Sequence, residues 1–437
     1  MCEVWRVKSE VSVAALRRSF VLRTSYLTKR PASKGAKNMK KILSLIIALT
    51  MVISLSPFAF AGNESSLAFD ENGEFKILVL SDTQDDQYPS DDMLNAVKLA
   101  IKESEPDLIV FTGDLVEDSK IGLFGDEKPF TEGVVVKKSG EVQHEETLTN
   151  LKKTADDVLS IFQSSGVPFV IAQGNNDHKC GVSNEEWLEI YSSYSNCIIR
   201  DESDDEDSRI DYNVFINDRS GNPVFNLWLI DTGRGGIRDD QIEWYKTESK
   251  KITSENGGTP IPAILFQHIN TSDVGNLFED CGMFDEGARS AGFMKFRRLN
   301  RNIAYGVDTI CYDSCEASEE FKAWKECGDV IGAYFGHQHV DAFCGTIDGI
   351  EIGFNPGLEM EKLGPYGYRV ITLREDDIKN YDNDLYLYEG KVALGTDRYE
   401  KYEEKGYREY NSVLEKFIYS VYNVFVILDN SVRELIA

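Results

Sequence analysis

The sequence predicts an α/β fold in which buried strands alternate with amphipathic helices. Six short apolar runs each end in a polar cluster. The runs do not alternate with polar residues, so both faces of each strand are expected to be buried, as in a sheet covered by helices. Ligands of such sheets bind beyond the carboxyl ends of the strands, so we expect the six clusters to lie along one rim.

The predicted elements follow one another in a regular order. Strands are predicted over residues 75–80, 107–111, 168–172, 225–230, 263–266, 331–335 and, closing the series, 368–373. The spacing of apolar residues predicts helices over 91–104 and 148–165 and near 241–251. Segments 118–146 and 271–327 are predicted insertions. The acidic run 201–207 lacks the spaced ligands of a calcium loop and is predicted to be solvated.

The N-terminal part of the chain differs from the rest in charge. Residues 1–61 hold eleven basic and two acidic side chains. From Met39, a basic start precedes an apolar stretch and the small-x-small sequence Ala59-Phe60-Ala61, which is the layout of a bacterial secretory signal peptide. The sequence therefore predicts an upstream extension (1–38), a signal peptide (39–61), a main domain (70–375) and a C-terminal extension (376–437). An uncleaved membrane anchor is the alternative to cleavage, and export to the cell envelope or beyond is expected.

The charge of the exported chain limits its partners. The 437 residues carry 47 basic and 74 acidic side chains, a net charge of −27, and loss of residues 1–61 leaves −36. Such a field repels phosphate backbones, so binding of a nucleic-acid duplex is not expected. The apolar stretch 417–428 is too short to span a bilayer, so no stable membrane span is expected in the mature chain. A small phosphorylated substrate would need local positive charge, for which metal ions are the obvious source.

The cysteines give weaker information. Seven remain beyond residue 61, none of them in a CxxC pattern, so a zinc-ribbon or thioredoxin interpretation has no support. Cys281, Cys311, Cys315 and Cys327 form a cluster that is suggestive of disulfides in an exported protein. The odd number leaves at least one cysteine unpaired, and the sequence does not predict the pairing or the oligomeric state.

Five polar clusters at strand ends form an ordered set of motifs. They are SDTQ at 81–84, GDLV at 113–116, GNND at 174–177, QHI at 267–269 and GHQH at 336–339. The set resembles the calcineurin-like metallophosphoesterases, whose pattern is DxH, GD, GNH[DE], a mid-chain His and GHxH, and most of all their secreted, purple-acid-phosphatase-like branch. The resemblance covers about residues 75–373, including a hairpin over 213–230. It implies a four-layer α/β/β/α sandwich with insertions.

The resemblance also implies a site for two divalent metal ions. Asp114 matches the residue that bridges both ions. Asp82 and His339 would hold the first ion, and Asn175, His268 and His337 the second. Two cations lower the pKa of a bound water, so a bridging hydroxide would attack phosphorus in line with the leaving oxygen. Manganese, iron or zinc are the expected metals, and a fold kept without metal is the alternative.

Two residues depart from the family pattern. Gln84 stands where the family has a His ligand; its neutral oxygen favours manganese, magnesium or calcium over zinc, or it holds a water beside the metal. Asn176 stands where the family has the His that helps to protonate the leaving group, and an amide cannot deliver a proton. Asp177, which would orient Asn176, is present. His178 is either a substitute acid or an ordinary surface residue.

The predicted function is that of a secreted, metal-dependent phosphoester hydrolase, acting on phosphomonoesters. Within the second insertion, Arg289, Arg297 and Arg298 either clamp a phosphate group or form the solvated basic face of a helix. One alternative is a phosphodiesterase acting on nucleotides or lipid head groups. Another is a catalytically weak or inactive homologue that binds metal or phosphate, which Gln84 and Asn176 keep open. A cell-surface adhesin is a more distant alternative.

Overall fold

The computed structural model describes residues 67–84, 89–117, 144–180, 182–200, 209–291, 295–308, 317–359, 364–388 and 399–402. Its helices are α1 (Asp91–Ser104), α2 (His144–Ser165), α3 (Asn175–Lys179), α4 (Asn184–Ser192), α5 (Asp239–Glu255) and α6 (Glu320–Cys327). Its strands are β1 (Glu74–Leu80), β2 (Leu108–Phe111), β3 (Phe169–Ile171), β4 (Tyr212–Asn217), β5 (Pro223–Ile230), β6 (Ala263–Gln267), β7 (Phe278–Asp280), β8 (Arg289–Ser290), β9 (Phe296–Leu299), β10 (Ala304–Val307), β11 (Val330–Phe335), β12 (Ala342–Ile347), β13 (Ile350–Phe354), β14 (Gly367–Arg374), β15 (Asp382–Tyr388) and β16 (Tyr399–Tyr402).

Several sequence predictions concern other parts of the chain. The predicted extension and signal peptide, most of the first insertion, the acidic run, Cys311, Cys315 and the apolar stretch 417–428 lie outside the described residues. Cys281 and Cys327 are described, and both are free thiols.

The strands form two large sheets. The first has the order β16-β15-β14-β1-β2-β3, and the second β10-β12-β13-β11-β6-β5-β4. Strands β1, β2 and β3 are parallel in the first sheet, and β5, β6, β11 and β13 are parallel in the second. The six runs predicted as buried strands are divided between these two parallel regions. The expectation of a single rim was therefore wrong in one respect, because the site residues come from the strand ends of two sheets.

The two sheets pack face to face, and helices cover their outer faces. Along β5, Leu227 and Leu229 belong to the core that contains the first sheet, whereas Trp228 and Ile230 belong to a second core. That second core also holds the apolar side chains of α5 and α6, while α1 and α2 contribute theirs to the first. Successive side chains of a strand point to opposite faces, so each central strand is buried on both. This arrangement confirms the predicted four-layer α/β/β/α sandwich.

The second predicted insertion folds into small elements of its own. A 3₁₀ turn (Ser272–Leu277) leads into a three-stranded antiparallel sheet of order β7-β9-β8. Strand β10 then pairs with β12 at the edge of the second sheet. The predicted basic cluster therefore lies on short paired strands and not on a helix.

Strands β15 and β16 extend the first sheet beyond β14, although they lie in the segment predicted as a C-terminal extension. No helix among the described residues is both long and apolar enough to cross a bilayer.

Candidate active site

The predicted metal ligands all lie just beyond strand ends, where the chain turns sharply. Asp82, Gln84, Asp114 and His337 have positive φ values of 51°, 35°, 56° and 72°. Only two other non-glycine residues of the described ranges share this left-handed conformation. It costs roughly 1–3 kcal/mol per residue and persists where surrounding contacts enforce it. The turns direct polar side chains from both sheets into one site.

The close approach of two turns explains the glycines of the motifs. A Cβ added to Gly174 would lie 2.2 Å from Asp114 Oδ1 and from the Asp114 backbone nitrogen. A Cβ added to Gly336 would lie 2.3 Å from Ser81 Oγ. The glycines of GNND and GHQH therefore allow neighbouring turns to pack against the aspartates.

The ligand atoms gather into two groups that share one residue. Asp114, His268 and His337 offer ligand atoms that lie within 4.8 Å of one another. Asp82, Asp114 and His339 do the same. Two cations about 3.5–4 Å apart need an anionic group between them. Asp114, common to both groups, has the position of such a bridge.

Asp114 is held as an ionised carboxylate. Its Oδ1 accepts a hydrogen bond from the Asn176 backbone nitrogen at 2.8 Å, and its Oδ2 one from the Asn176 side-chain amide at 2.8 Å. His268 Nε2 lies 3.1 Å from the same Oδ2, and the Gln84 side-chain amide also donates to it. Burial pushes the pKa of Asp114 up, but His268 and these hydrogen bonds hold it below its ordinary value.

The two histidines beside Asp114 differ in protonation. The backbone oxygen of Thr112 lies 2.8 Å from His268 Nδ1, so the other nitrogen faces the site. Burial opposes a charge on His268, but Asp114 raises its pKa to about 9. Burial and the neighbouring His268 lower the pKa of His337 to about 3. A neutral imidazole is the form that ligates metal, and a cation would replace the proton on His268.

The Asn175 side chain tests whether a cation fits. In the orientation that the structure shows, the side-chain oxygen of Asn175 faces the imidazoles. It lies 2.7 Å from His337 Nδ1 and 3.2 Å from His268 Nε2. When both imidazoles are neutral, as metal binding requires, three electron-pair donors at such distances repel one another unless a cation lies among them. Swapping the amide would instead let its nitrogen donate to both rings. The placed orientation fits a metal, and the donor set of amide oxygen, imidazoles and carboxylate suits a divalent ion.

Asp82 and His339 form the other side of the site. His339 Nε2 lies 3.5 Å from Asp82 Oδ1, and His339 Nδ1 lies 2.5 Å from Glu359 Oε2. The carboxylate of Asp82 also accepts from the His337 backbone nitrogen at 3.1 Å and from the Ser81 hydroxyl. Burial raises the pKa of Asp82, although His268 and His339 oppose that shift. Glu359 places a carboxylate oxygen beside His339, as outer carboxylates lie beside histidines in metal sites, and no motif in the sequence indicated it.

Asp177 acts on the backbone around Asp114. Its carboxylate accepts from the backbone nitrogens of Asp114 (3.0 Å), Leu115 (3.0 Å), Val116 (3.3 Å) and Gly174 (2.9 Å). Burial and the nearby Asp114 raise the pKa of Asp177 to about 7. Asp177 was predicted to orient Asn176, but its carboxylate instead holds the turn that carries Asp114. The Asn176 side chain is hydrogen-bonded to other residues.

His178 is paired and not an ordinary surface residue. Its Nε2 lies 2.6 Å from Asp231 Oδ1, and Asp231 is buried at the end of β5. Asp231 accepts further hydrogen bonds from the backbone nitrogens of Ile210 and Gly233. Burial raises the pKa of Asp231, but His178, Arg209 and the backbone hydrogen bond from Ile210 together hold it below its ordinary value. An ionised carboxylate thus fixes one nitrogen of the His178 ring.

Lys179 was not singled out in the sequence, yet it reaches the GNND motif. Its Nζ donates to Asn176 Oδ1 at 3.1 Å. Residues three apart share one face of a helix, but a helix of five residues is too short for its periodicity to be recognised in the sequence.

The predicted substrate arginines are engaged within the small sheet. Arg289 donates to the backbone oxygen of Asp308, and Arg297 to those of Gly275 and Phe278. Arg298 pairs with Glu279 at 2.7 Å. A role in binding substrate stays a prediction, and it would require these side chains to exchange partners.

Comparisons with known proteins agree with the geometry. Residues 75–341 match the family model described as calcineurin-like phosphoesterase. The chain is 24% identical over 363 residues to a protein of Arabidopsis thaliana named probable inactive purple acid phosphatase 14, covering 75% of this chain and 80% of that protein. It is 22% identical over 378 residues to probable inactive purple acid phosphatase 28 of the same organism, covering 76% and 79%.

Among solved structures, a dimetal phosphatase from Danio rerio aligns with a TM-score of 0.43 and 12% identity, covering 75% of this chain and 98% of that one. The family model accounts for more than half of the sequence. The chain therefore belongs to the calcineurin-like phosphoesterase family and is a metallophosphoesterase, a hydrolase of phosphoric ester bonds.

Proposed function

We propose that this protein hydrolyses phosphomonoesters at a site that holds two divalent metal ions. The observation that carries the proposal is the sharing of Asp114 by two groups of ligand atoms. Bound cations would polarise a phosphoryl oxygen and lower the pKa of water. The chain's own residues hold and orient the reacting groups.

The proposed ligand roles follow from the contacts. Asp114 is common to the two groups and would be shared by both ions. Asn175, His268 and His337 would hold one ion, and Asp82 and His339 would hold the other. Because the Gln84 side-chain nitrogen faces Asp114, Gln84 is proposed to orient the bridging carboxylate. A mixed set of oxygen and imidazole donors suits manganese, iron or zinc, and we propose manganese as the first metal to test.

We propose that His178 supplies the proton that Asn176 cannot. An imidazole held by a buried carboxylate has a fixed ring orientation, which general acid catalysis requires. Asp231 provides that carboxylate at 2.6 Å. The variant His178→Gln should therefore slow the hydrolysis of alkyl phosphates, whose leaving groups need a proton, more than that of nitrophenyl phosphate. Equal loss on both substrates would refute this role.

The reaction is also proposed to take place outside the cytoplasm. The basic start, apolar stretch and Ala59-Phe60-Ala61 sequence support export with cleavage after residue 61. N-terminal sequencing of the protein from the medium or envelope fraction of the producing cells should find Gly62 first. Recovery of the full-length chain in the cytoplasm would contradict this proposal.

The central experiment compares wild type with Asp114→Asn after loading with manganese. We expect wild type to hydrolyse a mono-aryl phosphate and the variant to lose that activity together with bound metal. The control is Asp348→Asn, because Asp348 is an exposed aspartate that also has a positive φ but lies in the turn between β12 and β13. Equal residual rates in wild type and Asp114→Asn would refute the proposed function.

Two other outcomes identify the alternative functions. Faster turnover of a bis-aryl than of a mono-aryl phosphate would indicate a phosphodiesterase. Full metal loading without turnover of either ester would indicate a protein that binds metal or phosphate without efficient catalysis. The second outcome has some support, since Asn176 occupies the position of a family histidine and two relatives carry the word inactive in their names.

A further inference from the structure

Lys179 brings a positive charge to the part of the site where a family histidine is missing. It is the last residue of α3, so it lies one helical turn from Asn175 and Asn176 and shares their face. Its Nζ donates a hydrogen bond to Asn176 Oδ1 at 3.1 Å. The ammonium therefore contacts the amide that stands in place of the family histidine.

The ammonium of Lys179 lies close to the candidate metal site. Asn176, whose Oδ1 accepts its hydrogen bond, also donates from its side-chain amide to Asp114 Oδ2 at 2.8 Å. A phosphoryl group bound beside Asn176 would therefore lie within electrostatic reach of the Lys179 charge. Lys179 is exposed, so a substrate can reach its head group from solvent.

The other cations predicted to bind phosphate are engaged elsewhere. Arg289 and Arg297 donate to backbone oxygens within the inserted segment, and Arg298 pairs with Glu279. Among the described residues, Lys179 is thus a better-placed cation than these three for contact with a phosphoryl group near Asn176. A lysine ammonium is a compact charge that binds phosphate oxygens.

We propose that Lys179 is a substrate-binding residue that places its ammonium against a non-bridging phosphoryl oxygen beside Asn176, and that it favours dianionic monoesters over monoanionic diesters. The inference rests on the proposed function and deepens it by assigning the charge of the substrate. Asn176 retains the hydrogen-bonding ability of an amide, and Lys179 adds the positive charge that an amide lacks.

The test uses the manganese-loaded protein and three variants. Lys179→Met removes the charge at similar length, and Lys179→Arg keeps it. Lys98→Met is the control. Lys98 is an exposed lysine of α1, the helix that covers the outer face of the first sheet. Binding of inorganic phosphate is measured by titration calorimetry, kcat and KM are measured for a mono-aryl and a bis-aryl phosphate, and metal content is measured for every variant.

We expect Lys179→Met to weaken phosphate binding about 10-fold or more and to lower kcat/KM for the monoester by a similar factor. The diester should change less than about 3-fold, since it carries one charge fewer. Lys179→Arg should restore phosphate binding to within about 3-fold, and Lys98→Met should behave as wild type.

Three results would overturn the inference. They are unchanged phosphate binding in Lys179→Met, equal losses on both esters, and loss of bound metal in that variant, which would mean that Lys179 only positions Asn176. Phosphate binding is measured without turnover. If wild type hydrolysed neither ester, the proposed function would fail, while the titrations would still decide the role of Lys179.

Discussion

Asp114 and its neighbours have conformations that would be unfavourable elsewhere in the chain. Four site residues have positive φ values, and the contacts around them compensate for the strain. The Asp177 carboxylate fixes three successive backbone nitrogens from Asp114 to Val116. A ligand held by its own backbone in this way is oriented before any metal or substrate arrives.

The substitution Asn176→His tests the missing acid at the scale of one residue. A histidine there can donate a proton to the leaving oxygen. General acid catalysis of this kind raises the rate by about 10²–10⁴-fold. In the His178→Gln background, which lacks the proposed acid, we expect kcat/KM for an alkyl phosphate to rise about 10-fold or more, and that for nitrophenyl phosphate to change less than about 3-fold. Steady-state kinetics on both substrates are the measurement.

A second variant controls for the structural contacts of Asn176. Its side chain donates to Asp114 Oδ2, so any substitution disturbs the bridging carboxylate. Asn176→Ala removes the amide without adding an acid and should slow both substrates. A rise for the alkyl phosphate in the alanine variant would show that proton donation is not the cause.

At the scale of elements, the short helix α3 and the loop before it connect the first sheet to the site. Gly174 sits directly against Asp114, and Asn175 opens the helix with its amide towards His268 and His337. The close contact between the loops after β2 and β3 is thus a condition for both ligand groups.

The variant Gly174→Ala should break this contact. Its added methyl group would lie 2.2 Å from Asp114 Oδ1, so the carboxylate or the loop must move. We expect at least a 10-fold loss of manganese affinity, measured by titration, with the far-ultraviolet circular dichroism retained. Gly235→Ala is the matched control, because its methyl group would meet no atom within 4 Å. Unchanged affinity in Gly174→Ala would contradict the described packing.

Helix α6 carries a buried carboxyl group that makes stability depend on pH. Burial raises the pKa of Glu320 from 4.5 to about 8, and the Gln267 side-chain amide, 3.3 Å away, offsets only part of this. The folded state therefore binds a proton that the unfolded state releases. The contribution of Glu320 to the free energy of unfolding is therefore fully present below about pH 4.5 and is lost as the pH rises towards about 8.

The variant Glu320→Gln should remove this dependence. At pH 8 we expect it to raise the free energy of unfolding by on the order of a few kcal/mol, and at pH 5 by much less. Urea unfolding at both pH values is the measurement, with Glu319→Gln as the control because Glu319 is an exposed neighbour. An equal gain at both pH values would show that Glu320 does not titrate in this range.

At the scale of the whole molecule, the ligands come from both sheets of the sandwich. Asp82, Asp114 and Asn175 follow strands of the first sheet, and the histidines follow β6 and β11 of the second. Bound cations would link the two sheets, and a ligand that binds only the folded state stabilises it.

We therefore expect manganese to raise the thermal unfolding temperature. At a free concentration about 100 times Kd, the stabilisation is about 2.7 kcal/mol for one site. Differential scanning calorimetry of wild type with and without chelator should show the shift, and Asp114→Asn should show little of it. A shift of the same size in the variant would place the metal elsewhere.

The sequence predicted the central strands and most of the candidate site, because each ligand sits directly after a continuous apolar run. Runs such as 75–80 and 331–335 are local signals of strands buried on both faces. Strands β12, β13 and β15 were not predicted, although each lies between two other strands. Their short sequences are interrupted by glycine or acidic residues, which are uncommon in strands and weaken the pattern that identifies one.

By itself, the sequence determined the fold class and the order of the motifs, since apolar periodicity and residue type are properties of short segments. Only the tertiary structure decided that the candidate ligands come from two sheets, that Glu359 contacts His339 and Asp231 contacts His178, and that Lys179 reaches the Asn176 amide. The first three depend on contacts between residues far apart in the chain. The fourth depends on the length and placement of a helix of five residues, too short for periodicity to reveal.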